Sequence, residues 1–213
     1  TDFQDNGKYS WVKSPTFYGD TVQVGPLARV LAWAAAKYEP GLRHLNRVIG
    51  MAESIAKTKI PLDALHSTIG RHAARAVVCG SMVENLQQQW QLLVDNIAKG
   101  DVKTFNKPEF PKGEVSGFGF HEAPRGVLSH WVVIKDGATK NYRAAVPTTW
   151  NAAPAQAQDV AGPYEAALIG TPIADPERPL EVLRTVHSFD PCLACAVHVL
   201  DTEQNEVVKV RAL

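Results

Sequence analysis

The chain has 213 residues, 45% hydrophobic and 21% charged, an ordinary globular composition that excludes a disordered or fibrous polymer. Its 22 lysines and arginines balance 22 aspartates and glutamates, so net charge gives no case for nucleic acid as a partner. No apolar run approaches the roughly 18 to 20 residues of a membrane span, and "TDFQDNGKYSW" lacks the basic-then-apolar layout of a signal peptide.

From 26 to 100 the apolar spacing is helical. "GPLARVLAWAAAKY" places Leu27, Val30, Leu31 and Ala34 on one stripe, with Pro26 suited to a first helical turn. A second stripe follows at Leu42, Leu45, Ile49 and Ala52. A longer segment beginning at Pro61 keeps the period at Leu65, Ile69, His72 and Ala73, then at Leu86, Trp90, Leu93 and Ile97, and stops before Gly100. Cys79, inside "AVVCG", is expected as a small buried residue.

From 115 to 150 the texture is that of strands. "VLSHWVVIKDGATKNYRAAV" is rich in β-branched and aromatic residues around Asp136-Gly137, a two-residue hairpin signal. Pairing Lys135 with Ala138 and extending the register sets Arg125 opposite Thr148. "EAPRG" and "VPTTWN" then lie side by side at the open end, where each proline should stop the ladder and release an arginine and a hydroxyl. The segment 151–198 reads as Ala- and Pro-rich, with short helices at 163–169 and 178–187. Its last part, "HSFDPCLACAVH", holds two of the three cysteines.

Asp190-Pro191 has the form of a helix start, which would set Cys192 and Cys195 on one face of a first turn whose amides stabilise thiolates. An odd cysteine count without framework spacing points to metal ligation or free thiols rather than structural bridges. Haem attachment is excluded, because Ala196 and Val197 separate the second cysteine from His198. Structural zinc and a thioredoxin-like dithiol remain open, each lacking its usual second ligand pair or βαβ setting. On a continuing helix His198 stands about 9 Å and about 120° from Cys192, so it faces a second, separate site.

"DPCLACAVH" at 190–198 resembles the C-terminal signature of the nickel-iron hydrogenase large subunit. "YSWVKSPTFYG", "VGPLARV", "STIGRHAAR", "GFHEAPRG" and "VPTTWN" occur in that family's order. The resemblance implies an α+β fold, mainly helical with a central antiparallel hairpin. It implies a Ni-Fe centre whose iron carries carbon monoxide and cyanide, with Cys192 a terminal nickel ligand and Cys195 a bridging thiolate. Arg125 and Asp190 would stand over the open metal position, Arg125 or Cys192 taking a proton from H2, and Thr148 and the backbone at Pro147 would hydrogen-bond a cyanide. His198, with the carbonyl near Ala144, would hold magnesium or a similar structural ion.

The same resemblance implies partners: an iron-sulfur small subunit that carries the electrons away, nickel-insertion chaperones and a maturation endopeptidase. That endopeptidase would cut after His198, making 199–213 a removable extension. The family's N-terminal R-x-C-x-x-C pair is not in this sequence, so the chain is expected to be a C-terminal portion of a longer subunit and inactive alone. Contact with a membrane would be indirect, by co-export with the small subunit to the periplasmic side, unless the chain is a cytoplasmic precursor. Two other classes compete, a hydrogenase-derived subunit of a quinone-reducing complex and a non-enzymatic zinc-binding module. Retention of both Cys192 and Cys195 argues against the first, and metal analysis separates the second.

Overall fold

The computed structural model describes residues 14–109, 112–156 and 160–192, and the backbone of two strands at 196–200 and 206–211. Three helices build the core: α1 (Pro26–Ala35), α2 (Glu39–Ala56) and the long α3 (Thr68–Ala98). Pro26 occupies the first turn of α1, where its missing N–H costs no hydrogen bond. Ser67 caps α3, its hydroxyl accepting from Gly70 N at 3.0 Å. Leu27, Val30, Leu45 and Leu65 pack against Ala74, Val77 and Val78 of α3. Each large aliphatic side chain in that cluster contributes about 1.5–3 kcal/mol by leaving water.

The expected stripes of α1 and α2 hold, and Leu65 is buried, but α3 buries a different face. Gly70, Arg71, Ala74, Val77, Val78 and Ser81 turn inward, whereas Ile69, Leu86, Trp90, Leu93 and Ile97 stay exposed. Gly70 lets the helix start pack on Leu65, Gly80 makes room for His44 of α2, and beyond Glu84, which meets Arg43 and His44, the side chains of α3 are largely exposed. Cys79 is likewise exposed rather than buried, because it lies off that inward face.

The sheet has three antiparallel strands rather than one hairpin: β1 (Glu114–Ala123), β2 (Gly126–Lys135) and β3 (Ala138–Ala145), in that order. The Asp136-Gly137 turn forms as expected, with both residues at positive φ, and Asp136 also closes onto Gly113, whose N–H donates to its carboxylate at 3.0 Å. The register departs from the simple extension. Lys135 pairs with Ala138 and Ile134 with Thr139, but Val133 faces Asn141, leaving Lys140 as an extra residue. Lys140 is held by Glu114 at 2.6 Å.

Short helices follow: α4 (Pro147–Asn151), α5 (Pro163–Leu168) and α6 (Leu180–His187), the last two close to the expected ranges. Thr68 at the start of α3 meets Thr185 of α6 through their hydroxyls at 3.0 Å. Two terminal strands, β4 (Ala196–Leu200) and β5 (Glu206–Arg211), pair antiparallel. Among the described residues no helix is long and apolar enough to cross a membrane.

Candidate metal centre

The expected helix start at Asp190-Pro191 does not form, and residues 191–192 have no regular structure. Asp190 instead ends the turn that follows α6. Ser188 N donates to Arg184 O, Phe189 N to Val186 O, and Asp190 N to His187 O at 2.9 Å, after which Asp190 takes a left-handed φ of 56°. Aspartate tolerates that conformation, and a residue before proline is disfavoured in a right-handed helix. The rule that places Asp-Pro at a helix N-terminus loses here because a helix has just ended. Among the described residues no helix starts at Pro191.

Four of the expected site residues nevertheless converge. Pro124-Arg125 is a tight two-residue turn joining β1 to β2, closed by the pair Ala123 and Gly126. The signal was present in the alternation of "GFGFHEA" before Pro-Arg-Gly, and it makes "EAPRG" a turn instead of a released strand end. The Arg125 guanidinium lies 3.3 Å from the Asp190 carboxylate. Its Nε–H does not point at that oxygen, so the contact is one of charge and not a hydrogen bond. Both side chains are about 40% exposed, at 43% and 38%, so the pair itself adds little stability.

Simple strand register sets Thr148 opposite Arg125 in a ladder; Thr148 lies instead on α4, which begins at Pro147 as soon as β3 ends. Both are buried, and the Thr148 hydroxyl accepts from Cys192 N at 3.0 Å. That bond ties the thiol-bearing segment to α4 across 44 residues. Cys192 is exposed and free of any disulfide. Cys195 lies outside the described residues. His198 lies on β4, its backbone opposite Lys209, and Ala144 lies on β3 opposite His130. His198 therefore lies on a strand rather than on a helix continuing from Cys192, and the helical geometry that separated the two sites does not apply.

The segment that leads to Cys192 is clamped by groups the sequence reading passed over. Arg75 donates to Ser188 O at 3.0 Å, and the Arg71 guanidinium stacks 4.0 Å from the Phe189 ring centre. Arg71 is buried, and burial pulls its pKa down from the ordinary arginine value. Tyr164 of α5 also meets Phe189, edge to face, with ring centres 4.9 Å apart. "STIGRHAAR" held the signal, since two arginines on a buried helix face need partners.

The Tyr164 phenol is pushed up to about 12, first by burial and then by the Asp190 carboxylate. A raised pKa means that the folded chain holds this proton more tightly than the unfolded one, which titrates near 10.0. Its contribution is complete below that value and is lost as pH rises toward 12. In the full-length subunit, Tyr164→Phe should leave neutral-pH stability nearly unchanged and flatten the loss of stability above pH 10, read by denaturant unfolding at each pH. An unaltered alkaline limb would assign that loss elsewhere.

The donor set fits one side of a nickel-iron group. An exposed cysteine follows two residues after the aspartate that meets Arg125, and its backbone is held by the Thr148 hydroxyl, so a soft donor, a cation, a carboxylate and a hydroxyl belong to one locality, the chemistry a thiolate-bound metal with polar ligands requires. Among the described residues no three of His, Cys, Asp and Glu gather at one point, so these residues alone do not enclose a metal ion.

Comparison with known proteins agrees with this geometry. The nickel-dependent hydrogenase family matches residues 1–198. The hydrogenase-2 large chain of Escherichia coli K12 is 54% identical over 212 residues, 99% of this chain and 37% of that protein. The uptake hydrogenase large subunit of Bradyrhizobium diazoefficiens is 45% identical over 97% of this chain and 34% of its own length. The chain therefore spans just over a third of the curated relatives it matches. The reduced, active form of the Ni-Fe-Se hydrogenase from Desulfomicrobium baculatum superposes with a TM-score of 0.66 at 31% identity, over 88% of this chain and 37% of that one. With a family match that runs through the cysteine motif and a shared fold at that identity, the chain belongs to the nickel-dependent hydrogenase family.

Proposed function

We propose that this chain is the part of a nickel-iron hydrogenase large subunit that carries Cys192, Cys195, Arg125 and Asp190. The reaction is the reversible heterolytic cleavage of H2 into two protons and two electrons. The observation that carries the reading is the meeting of three separate segments at one place: the Arg125 turn, the Thr148 helix and the Asp190–Cys192 loop.

When bound, the nickel-iron group supplies a Lewis acid and an electron acceptor for dihydrogen. Cys192 and Cys195 hold it through soft sulfur. Cys192, once a thiolate, is also a base at the reacting position. Arg125 sets a fixed positive, planar group beside the thiol, and Asp190 keeps that guanidinium from swinging away. Thr148 already accepts from Cys192 N, so its own hydroxyl proton is available to an acceptor such as an iron-bound cyanide. His198 and the carbonyl near Ala144 are proposed to bind a structural ion such as magnesium. Electrons leave through an iron-sulfur small subunit, and the complex reaches the periplasmic side by export with that partner.

The full-length subunit, purified with its partner, tests the proposal. Nickel and iron in equal amounts with hydrogen-dependent dye reduction support it, and zinc as the sole bound metal overturns it.

The segment after residue 198 is proposed to be a maturation extension, removed by an endopeptidase after metal insertion. The family match ends at 198. In the unprocessed chain β5 pairs with β4 across the 198–199 junction, so removal of 199–213 would withdraw the strand partner of the segment that bears His198. Protein from nickel-supplied cells should end at His198 by intact mass, and nickel-starved cells should accumulate the longer form. An active, metal-loaded subunit still ending at Leu213 would make the tail a permanent element.

A further inference from the structure

One buried side chain holds both backbone groups of Val24, and the next residue presses on the main chain of Arg125. Val24 N donates to Asn151 Oδ1 at 2.9 Å, and Asn151 Nδ2 donates to Val24 O at 3.1 Å. Asn151 is 2% exposed and lies 127 residues from its partner. An asparagine amide presents donor and acceptor side by side, as a peptide does, so it can stand in for a neighbouring strand.

Gly25 has φ 116°, and a Cβ built there would lie 2.9 Å from the Arg125 carbonyl oxygen. Gly126 has φ 135°, and a Cβ there would meet Val24 Cγ2 at 2.9 Å and Pro147 Cβ at 3.2 Å. Both positions require glycine for conformation and for clearance. The segments at 24–25 and 125–126 are thus packed backbone against backbone, with the Pro147 and Asn151 side chains against them. Arg29 fixes the approach to the turn, donating to Ala123 O at 2.7 Å and pairing with Glu122 at 2.7 Å.

We propose that Asn151 is a positioning residue for Arg125, acting through Val24 and Gly25; this rests on the role given to Arg125 above. The Arg125 side chain has a single charge contact, with Asp190, among the described residues. Its placement therefore depends on where the turn carries it, and the turn is set by Gly25. Asn151 belongs to the same short helix as Thr148, so it locks the Arg125 turn to the helix that receives Cys192 N. Relaxing Val24–Gly25 moves the guanidinium relative to the thiol without touching any metal ligand.

The test uses the full-length, metal-loaded enzyme with its partner. Asn151→Asp keeps the size and the acceptor but loses the donor and sets an oxygen against Val24 O. Expected are unchanged nickel and iron, a kcat lower by about 10- to 100-fold, and faster amide exchange at Gly25 and Gly126. Gly25→Ala, which pushes on the Arg125 carbonyl directly, should do the same.

The decisive measurement is a double-mutant cycle. On an Arg125→Lys background, Asn151→Asp should cost no more than about a further twofold, because it acts through the group already lost. Effects that multiply would overturn the proposal, as would loss of metals in both Asn151→Asp and Gly25→Ala. An Arg125→Lys enzyme with full turnover would instead overturn the reading on which the proposal rests, so the two failures are distinguishable.

Discussion

Cys195→Ser in the full-length subunit should abolish assembly of the nickel-iron centre. A bridging ligand must share sulfur electron density between two metals, and a hydroxyl is both a harder donor and far less readily deprotonated than a thiol. The family match extends through Cys195 to residue 198, so the position lies within the shared motif. Nickel and iron content of the purified complex is the direct readout, and both should fall to background, with hydrogen-dependent activity falling alongside. Because a ligand is lost, the activity loss cannot be rescued by adding electron acceptor. Wild-type amounts of both metals in the serine variant would remove Cys195 from the ligand set. A small, polar replacement is chosen so that packing is disturbed as little as possible, which keeps a metal effect separate from a folding effect.

Arg125→Lys has the next largest expected effect, and its signature is different. The metals should remain at full loading, because Arg125 is bound to the Asp190 carboxylate and to the fold, with its backbone carbonyl against Gly25. Turnover should drop by roughly 10²- to 10³-fold or more, the scale seen when one preorganised donor at a reacting centre is removed. Lysine keeps the charge but not the rigid plane. Its flexible ammonium is a strongly hydrated point charge, and nothing fixes it over the neighbouring thiol. Full turnover at full metal loading would exclude the arginine from the mechanism. The contrast between the two variants, metals lost in one and retained in the other, separates ligand from proton-handling group.

Several of these assignments were legible in the linear sequence because they depend on local chemistry. Pro26 at a helix start, the Asp136-Gly137 turn, the stripes of α1 and α2, and the short helices α5 and α6 follow from capping, φ preference and apolar period, which act over a few residues. The family was legible in the same way, since its motifs are short runs of residues such as "DPCLACAVH".

Pairings over long distances were not legible, and each failed in its own way. The ladder was extended as if no residue were surplus, but Lys140 bulges, β1 adds a third strand, and Thr148 starts a helix. Arg125 and Thr148 still come to the same place, by packing of Gly25, Gly126 and Pro147 and not by strand register. Asp190-Pro191 satisfied the local rule for a helix start, yet the three hydrogen bonds that close the end of α6 hold Asp190 in the left-handed region. On α3 the apolar period at 86, 90, 93 and 97 suggests core, whereas the neighbours Leu27, Val30, Leu45 and Leu65 lie against Ala74, Val77 and Val78, so the first half of the helix is the part that is buried.

The sequence by itself determined the family, the Asp136-Gly137 turn and the starts of the first helices, because these are set by side-chain type and short spacing. Only the tertiary structure decided that Asn151 grips Val24, that Gly25 and Gly126 leave no room beside Arg125, and that Arg71 and Arg75 hold the chain before Cys192. Those contacts join residues a hundred or more positions apart, except that Gly126 and Pro147 meet more locally. Their energies arise from excluded volume and from satisfying buried polar groups, quantities that have no value until the segments are brought together.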